Sequence, residues 1–122
     1  MHFAFCFVFF QSKPLLTLES GSDYLFSVVW SPARPLVFAV SDGSGSIRVY
    51  DLQTSMLAPA LTIQANTDRT PLQCLVFNAQ EPSLLACADV RGRISVFNLS
   101  DKYAKMQPGE RRILEQMGSM KA

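Results

Sequence analysis

Two stretches of the chain, residues 25–52 and 72–99, are versions of one segment and align without a gap. Leu25 falls on Leu72, which gives a repeat period of 72 − 25 = 47 residues. Other matched pairs are Trp30 with Phe77, Pro35 with Pro82, Ala39 with Ala86, Asp42 with Asp89, Gly45 with Gly92, Ile47 with Ile94 and Val49 with Val96. A tandem unit of this size cannot bury its apolar face alone, so the repeat predicts an architecture of stacked units.

Each unit reads as short strands separated by turn residues. The first unit gives predicted strands at 25–30, 36–40, 46–51 and 61–64, and the second gives strands at 72–77, 83–88 and 93–98. Four strands that become progressively more polar are typical of a β-propeller blade, from its inner strand to its rim. The predicted fold class is therefore all-β, a partial propeller within residues 13–100 that contains blades at 25–64 and 72–99. Residues 13–19 add the outer strand of a further blade, which makes about two and a half blades.

A turn rich in aspartate and glycine joins the second and third strands of both units. Asp42 and Gly45 occupy this turn in the first unit, and Asp89 and Gly92 occupy it in the second. An aspartate at the start of a tight turn accepts hydrogen bonds from backbone N–H groups, and glycine tolerates a positive φ. We therefore interpret these four residues as structural turn residues.

Residues 1–12 form an atypical apolar leader, with five phenylalanines among the first ten residues. A signal peptide is one hypothesis, although no Lys or Arg precedes the apolar run and no small-x-small cleavage site follows it. A genuine apolar strand is a second hypothesis. Codons for Phe, Val and Cys are rich in T, and a pyrimidine tract followed by CAG for Gln11 is how an intron ends. The third hypothesis is therefore that residues 1–11 are translated intron, which transcript sequencing across the junction would test.

The remaining residues, 101–122, form a predicted helical tail. Residues 101–106 predict a helical turn that Pro108 and Gly109 end. Residues 110–120 then predict a short C-terminal helix with an apolar stripe made of Ile113, Leu114, Met117 and Met120. We expect this stripe to pack across the underside of the last blade, and a docking helix for a partner is the alternative.

Catalysis and metal binding find little support in the sequence. The single histidine, His2, lies within the leader, and Cys6, Cys74 and Cys87 are dispersed with no C-x-x-C pair. A catalytic triad needs an acid–base partner, and a zinc site needs about four N or S ligands. We therefore predict no catalytic, cofactor-binding or metal-binding residues, no cofactor and no small-molecule substrate. Cys74 and Cys87 are interpreted as packing residues.

The charge balance argues against nucleic-acid and membrane partners. The 11 basic and 10 acidic residues are well mixed and give a net charge of +1, without the basic footprint of a nucleic-acid binder. The apolar leader, at about 10 residues, is too short to span a bilayer, which needs about 20. The partners expected of this chain are therefore other proteins.

Residues that only one unit carries are the better candidates for partner contact. Arg91 and Arg93 belong to the second unit only, and Arg34 belongs to the first. Trp30 is also specific to the first unit, although its alignment with Phe77 favours a core position. Loops that lead into inner strands lie on the same propeller face as the turns between second and third strands. Four residues expected to be neighbours on that face and to contact a partner are Asp23, Tyr24, Arg91 and Arg93.

The repeats resemble WD repeats. Residues 45–51 (GSIRVYD) are similar to the G-x-I-x-V-W-D end of that signature, with Tyr in place of Trp. Residues 92–98 (GRISVFN) depart further, with Phe-Asn in place of Trp-Asp, and the usual Gly-His pair before the inner strand is absent. The resemblance implies a partial WD-type β-propeller.

One branch of WD-repeat proteins resembles the chain more specifically. Residues 25–39 (LFSVVWSPARPLVFA) are similar to the W-S-P-x-R-P-x-V-F-A segment of dynein intermediate chains. The pattern D-x-x-G-x-I-x-V-(F/Y)-(D/N)-L at 42–52 and 89–99 is similar to that family as well. Residues 51–53 (DLQ) and 74–78 (CLVFN) favour the cytoplasmic dynein 2 branch, and the similarity covers residues 13–100.

The resemblance implies a non-catalytic motor subunit. In this family the propeller binds the dynein heavy chain, so the expected partners are the heavy chain and other dynein subunits. The implied process is microtubule-based intraflagellar transport, and the implied locations are the cytoplasm, the cytoskeleton and the cilium. No segment here matches the region before the propeller that binds light chains in the family. A generic WD-repeat adaptor of another complex and a small enzyme on a β scaffold remain the alternatives.

Overall fold

The first repeat folds into a four-stranded sheet and the second into a three-stranded sheet. The computed structural model describes residues 2–5, 16–21 and 23–118. Strands in the described residues are β1 (His2–Phe5), β2 (Leu16–Glu19), β3 (Leu25–Trp30), β4 (Val37–Asp42), β5 (Ser46–Asp51), β6 (Leu61–Gln64), β7 (Leu72–Phe77), β8 (Leu84–Asp89) and β9 (Ile94–Asn98). Two helices follow, α1 (Asp101–Ala104) and α2 (Glu110–Gly118). All strands predicted within the two repeats are present, and their ends lie within two residues of the predicted ones.

Both repeats form antiparallel meanders. The spatial order is β3-β4-β5-β6 in the first sheet and β7-β8-β9 in the second, so each chain segment pairs with the next. This is the order of strands from the inside to the outside of a propeller blade. The predicted all-β partial propeller is therefore confirmed. The two sheets are called the first blade and the second blade below.

A separate two-stranded sheet lies before the first blade. Its strands β1 and β2 pair antiparallel, with Phe3 opposite Leu18. The strand predicted at 13–19 is described from Leu16 onward. Of the apolar leader only the backbone of residues 2–5 is described, so the origin of residues 1–11 stays a hypothesis.

The two blades have the same strand register, including an irregularity at the same repeat position. Leu25 lies opposite Asp42, and Leu72 lies opposite Asp89 at the matching repeat position. In each inner strand the register then shifts within the next two residues, at Leu25/Ser27 and at Leu72/Cys74. A bulge of this kind bends the strand and increases its twist. The repeat in the sequence is therefore a repeat of backbone geometry.

The main apolar core lies between the two blades, where β7 packs against β3 and β4. The first blade contributes alternate residues of β4 and β5, and the second blade contributes residues of β7 and β8. Buried members are Val37, Ala39, Ile47, Val49, Leu72, Leu75, Phe77, Leu85, Cys87, Leu99 and Tyr103. Cys87 is thus a packing residue, whereas Cys74 is exposed, contrary to its interpretation as one. Removing this much apolar surface from water supplies the attraction between the blades.

A second apolar cluster covers the opposite face of the first blade. Its buried members are Leu18, Leu36, Phe38, Val40, Tyr50 and Leu52. Leu18 comes from β2, and Ile113 of α2 packs against the cluster. The expectation that the helical stripe lies under the last blade is therefore wrong for Ile113, which contacts the first blade. The side chains of Leu114, Met117 and Met120 lie outside the described residues.

Trp30 differs from its repeat partner Phe77. Phe77 is buried between the blades, whereas Trp30 is 40% exposed and packs edge-on against Phe38 with ring centroids 5.4 Å apart. The predicted core position of Trp30 is therefore wrong. Trp30 pairs with Phe38 across β3 and β4, on the face turned away from the second blade. On that face the alternate β3 residues Phe26, Val28 and Trp30 are all exposed.

A buried ion network explains why α2 returns to the first blade. Arg34, which is fully buried in the loop between β3 and β4, donates from Nε to Glu110 Oε2 at 3.0 Å. Its Nη1 donates to Asp51 Oδ2 at 3.0 Å and to the carbonyl oxygen of Lys102 at 2.7 Å. Its Nη2 donates to Gln53 Oε1 at 3.2 Å. Arg34 is therefore an internal residue rather than a partner contact.

Glu110 completes this network from the helix side. Its Oε1 accepts the backbone N–H of Leu36 at 3.2 Å, and its Oε2 accepts the backbone N–H of Gln107 at 3.1 Å. The second bond reaches back three residues, as in a capping box, and Pro108 starts the helical turn. Burial works to lower the pKa of Arg34, but hydrogen bonds to Glu110 and Asp51 outweigh burial and raise that pKa. Separation of α2 from this loop would leave a buried charge without its partner, which is costly. The ion network therefore holds α2 against the loop.

Candidate partner-binding face

Four loops meet at the end of the blades opposite α2, and we call this surface the hairpin face. Two of them lead into the inner strands, at 23–24 and 66–70, and two are the turns at 43–45 and 90–92. The backbone N–H of Gly43 donates to the carbonyl oxygen of Tyr24 at 2.8 Å in the first blade. In the second blade the N–H of Val90 donates to the carbonyl oxygen of Pro71 at 3.1 Å. Each inner-strand loop is thus bonded to the turn of its own blade.

Asp42 organises the turn of the first blade. Its Oδ1 accepts the backbone N–H groups of Ser44 at 2.9 Å and Ser46 at 3.1 Å, and its Oδ2 pairs with Arg48. Burial works to raise the pKa of this carboxyl, but hydrogen bonds from Ser44 and Ser46 and the charge of Arg48 lower it below its usual value. Gly45 follows with φ +81°, a conformation that favours glycine.

Asp89 does the same at the matching position of the second blade. Its Oδ1 accepts the backbone N–H groups of Arg91 at 2.9 Å and Arg93 at 3.0 Å, and its Oδ2 accepts Arg93 Nε at 2.7 Å. Burial works to raise the pKa of Asp89, and the hydrogen bonds from Arg93 and Arg91 lower it below its usual value. Gly92 has φ +84°. Both turns are therefore held by an aspartate that accepts two backbone N–H groups and pairs with an arginine.

The loop at 66–70 is closed by its own side chains. Asn66 Nδ2 donates to the carbonyl oxygen of Thr70 at 2.8 Å, and the backbone N–H of Thr70 donates to Asn66 Oδ1 at 3.0 Å. Inside this ring, Thr70 Oγ1 donates to Asp68 Oδ1 at 2.8 Å. In the pattern Asn-x-Asp-x-Thr, Asn66 bonds the backbone of Thr70 and the other two side chains bond each other, and such short polar residues are the sequence signal for a loop of this kind.

Arg91 and Arg93 converge on this loop. Arg93 Nη2 donates to Asp68 Oδ1 at 2.8 Å and Oδ2 at 3.0 Å, and to Thr70 Oγ1 at 3.1 Å. Arg91 Nη1 lies 3.6 Å from Asp68 Oδ2. Hydrogen bonds from Arg93 and Thr70 lower the pKa of Asp68 to about 2. Asp68 and Asp89 in turn raise the pKa of Arg93. Arg93 therefore stabilises the loop at 66–70, while Arg91 lies farther from Asp68 and is bound to it less tightly.

Asp23 and Tyr24 lie beside the turn of the first blade. Tyr24 is 71% exposed, and Asp23 Oδ1 lies 3.9 Å from the position that a Cβ on Gly43 would take. The same turn contacts the loop that precedes the second blade, because a Cβ on Gly45 would collide with the side chain of Asn66. A chain of contacts thus runs from Tyr24 through the first turn to the loop at 66–70, and on to Arg91 and Arg93.

The arginines form the outer layer of this face. In each of its four ion pairs the arginine is the more exposed partner, with side-chain exposures of 19% against 0%, 69% against 34%, 48% against 34% and 48% against 4%. Asp42 and Asp89 are buried and hold the turns, whereas Asp68 is itself exposed and bonds Thr70 in the loop at 66–70. The charge presented to a partner by these pairs is therefore positive.

Sequence reasoning missed the side chains that close the loop at 66–70, and with them Arg69. It lies within the closed loop with φ +56°, the left-handed region that side chains other than glycine rarely adopt. The polar residues of this loop are a local signal that the sequence carries, whereas the positive φ of Arg69 is visible only in the structure.

No group of three or more His, Cys, Asp or Glu side chains in the described ranges is placed to hold a metal ion. Burial raises the pKa of the Cys87 thiol, which opposes formation of the nucleophilic thiolate. Helices of the described part of the chain are also too short or too polar to cross a membrane.

Comparison with solved structures defines the class of fold. The WD40 domain of Toxoplasma gondii coronin superposes with a TM-score of 0.60 at 16% identity, over 71% of this chain and 21% of that one. Together with the paired meanders and the shared register, this makes the chain part of a WD-type β-propeller. No protein-family model matches the chain.

Sequence relatives define the family. Cytoplasmic dynein 2 intermediate chain 2 is 41% identical over 107 residues in Mus musculus and 41% identical over 105 residues in Homo sapiens. These matches cover 88% and 86% of this chain, and it spans about a fifth (20%) of the length of these curated relatives. The cytoplasmic dynein 1 intermediate chain of Drosophila melanogaster is 40% identical over 53 residues, 43% of this chain and 8% of that one. The chain belongs to the WD-repeat dynein intermediate chains.

Proposed function

We propose that this chain is a non-catalytic scaffold of a dynein motor. It binds the dynein heavy chain, assembles with other dynein subunits, and supports intraflagellar transport in the cytoplasm, cytoskeleton and cilium. The observation that carries this proposal is the 41% identity to cytoplasmic dynein 2 intermediate chains over most of the chain.

The hairpin face is the proposed contact surface, with Asp23, Tyr24, Arg91 and Arg93 as contact residues. Rigid blades hold these loops in place, and the exposed aromatic ring of Tyr24 and the outward guanidinium groups are typical of protein interfaces. Of the four, Arg93 also stabilises the loop at 66–70, so a change there acts on both fold and contact. Arg91, with 69% of its side chain exposed, is the cleaner probe.

Affinity capture from ciliated cells tests the proposal. The protein is tagged at its own genomic locus, and the eluate is examined for dynein heavy chain by mass spectrometry. We expect heavy chain in the wild-type eluate and less of it with Arg91→Glu, because reversal of an outward charge opposes the complementary surface. Arg112→Glu, an equal charge change on an exposed position of α2, is the control.

A wild-type eluate without heavy chain contradicts the dynein proposal. If it holds subunits of another assembly instead, the chain is a WD-repeat adaptor of that complex. An eluate in which Arg91→Glu and Arg112→Glu both match the wild type keeps the motor assignment and removes the hairpin face as the contact.

A further inference from the structure

Arg69 occupies a backbone conformation that disfavours its own side chain. Among the described residues it is the single non-glycine residue with positive φ, at +56°. An L side chain is disfavoured there because Cβ approaches the following carbonyl oxygen, so glycine or asparagine is the usual occupant. An arginine gains nothing from this position in local stability. An observed outlier of this kind is a reason to look for a function.

The surrounding loop forces this conformation on Arg69. Asn66 bonds both the N–H and the carbonyl oxygen of Thr70, which fixes the residues on either side. Asp68, directly before Arg69, is held by Thr70 and Arg93. Ala65, directly after β6, is tied to the turn of the first blade, because its N–H donates to the carbonyl oxygen of Gly45 at 2.9 Å. The tip of the loop is therefore preorganised, and Arg69 starts from a fixed base.

The guanidinium of Arg69 has no carboxylate left within its own loop. The Oδ1 of Asp68 accepts Arg93 and Thr70, and its Oδ2 faces Arg93 and Arg91. No hydrogen bond or ion pair is made by the exposed Arg69 side chain in the described part of the chain. Beside it, Arg91 and Arg93 are the outer partners of their ion pairs. Arg69 thus adds a positive charge to an edge whose exposed carboxylate, Asp68, is already paired with Arg91 and Arg93.

We propose that Arg69 is a recognition residue for a carboxylate on an acidic segment of the partner that docks on the hairpin face. This inference rests on the proposed function, in which that partner is the dynein heavy chain. A planar guanidinium binds a carboxylate through two parallel hydrogen bonds, which a lysine ammonium cannot reproduce. A side chain that begins from a fixed backbone loses less freedom when it binds, so its contribution to affinity is larger.

The variant Arg69→Gly separates the effect of the side-chain charge on binding from the effect of backbone strain on stability. Arg69→Gly removes the guanidinium and relieves the positive φ, so the loop keeps its shape and the melting temperature stays equal or rises. Arg69→Lys keeps the charge and the strained backbone but loses the two-pronged geometry. Both variants are introduced at the genomic locus of the tagged protein, with Arg112→Gly on α2 as a remote control.

We expect Arg69→Gly to reduce heavy-chain recovery roughly tenfold, because a hydrogen bond to a charged partner is lost. Arg69→Lys gives an intermediate loss. The salt dependence of recovery becomes shallower in Arg69→Gly, since one screened charge pair is gone. Treatment of the lysate with phosphatase leaves wild-type recovery unchanged, because the expected ligand is a carboxylate rather than a phosphate.

Equal recovery of heavy chain by Arg69→Gly and wild type overturns this inference and leaves the proposed function intact. A loss of recovery after phosphatase treatment also overturns it, in favour of a phosphorylated partner. A lower melting temperature in Arg69→Gly indicates that the residue is structural. A wild-type eluate without heavy chain overturns both the inference and the proposed function on which it rests.

Discussion

The two blades have matching sequences and very different surroundings. Ile47 of β5 is fully buried, whereas its repeat partner Ile94 of β9 is 76% exposed. Val49 and Val96 differ in the same way, at 0% and 61% exposed. Both strands pair with the strand before them and carry the same residue types, so propensity does not explain the difference. They differ in that β5 also pairs with β6, whereas β9 is an edge strand of the described sheet. The first blade has neighbours on both faces, and the second has a described neighbour on one.

The loops after the inner strands differ as well. Arg34 of the first blade corresponds to Glu81 of the second, and Asp51 corresponds to Asn98. The first pair joins the buried network with Glu110, while Glu81 is exposed and its side chain accepts a 3.4 Å hydrogen bond from Ser83. The comparison teaches that matched repeat positions set strands and turns, and that unmatched positions set what each blade binds.

The largest expected effect is on the buried network that only the first blade has. Glu110→Ala leaves Arg34 without one of its two carboxylates and the Leu36 N–H without its acceptor. We expect the free energy of unfolding to fall by about 3–5 kcal/mol, as for other broken buried pairs. Urea denaturation followed by the fluorescence of Trp30, the single tryptophan, measures this. Glu115→Ala, at an exposed position of the same helix, is the control, and equal losses in both variants would contradict the network.

The next effect tests the difference in burial directly. Ile47→Ala opens a cavity between the blades and is expected to lower the free energy of unfolding by about 2–5 kcal/mol. Ile94→Ala removes the same atoms from a solvent-exposed site and changes it by about 0.5 kcal/mol or less. The same denaturation assay compares the two variants. Similar losses at the two positions would show that the outer face of the second blade is covered in solution.

The smallest effect separates backbone strain from close contact at the two turns. Gly92→Ala meets no atom within 4 Å of the new Cβ and suffers only the positive φ, which costs about 1–2 kcal/mol. Gly45→Ala has the same strain, but its Cβ collides with Asn66 and lies 3.0 Å from the Thr70 carbonyl oxygen. We expect Gly45→Ala to lower the melting temperature further than Gly92→Ala in a thermal scan. Equal shifts in melting temperature would mean that the loop at 66–70 moves away from the new methyl group without loss of stability.

Alternating apolar residues and Asp/Gly turns were enough to predict the strands of both repeats. Those signals are local: side chains alternate across a strand, and only certain residues fit a tight turn. The position of α2 was not predictable, because Arg34 and Glu110 are 76 residues apart and look like surface charges in isolation. Trp30 was misplaced for a related reason, since alignment with a buried Phe77 says nothing about which neighbour covers its own face.

By itself the sequence determined the repeat, the strand order within each blade and the family, because these follow from spacing and residue type along the chain. Only the tertiary structure decided which copy of each matched residue is buried, where the tail binds, and that Arg69 is held at positive φ. Burial and buried ion pairs depend on surfaces that meet from distant parts of the chain, and the favourable free energy of contact exists only once those surfaces have met.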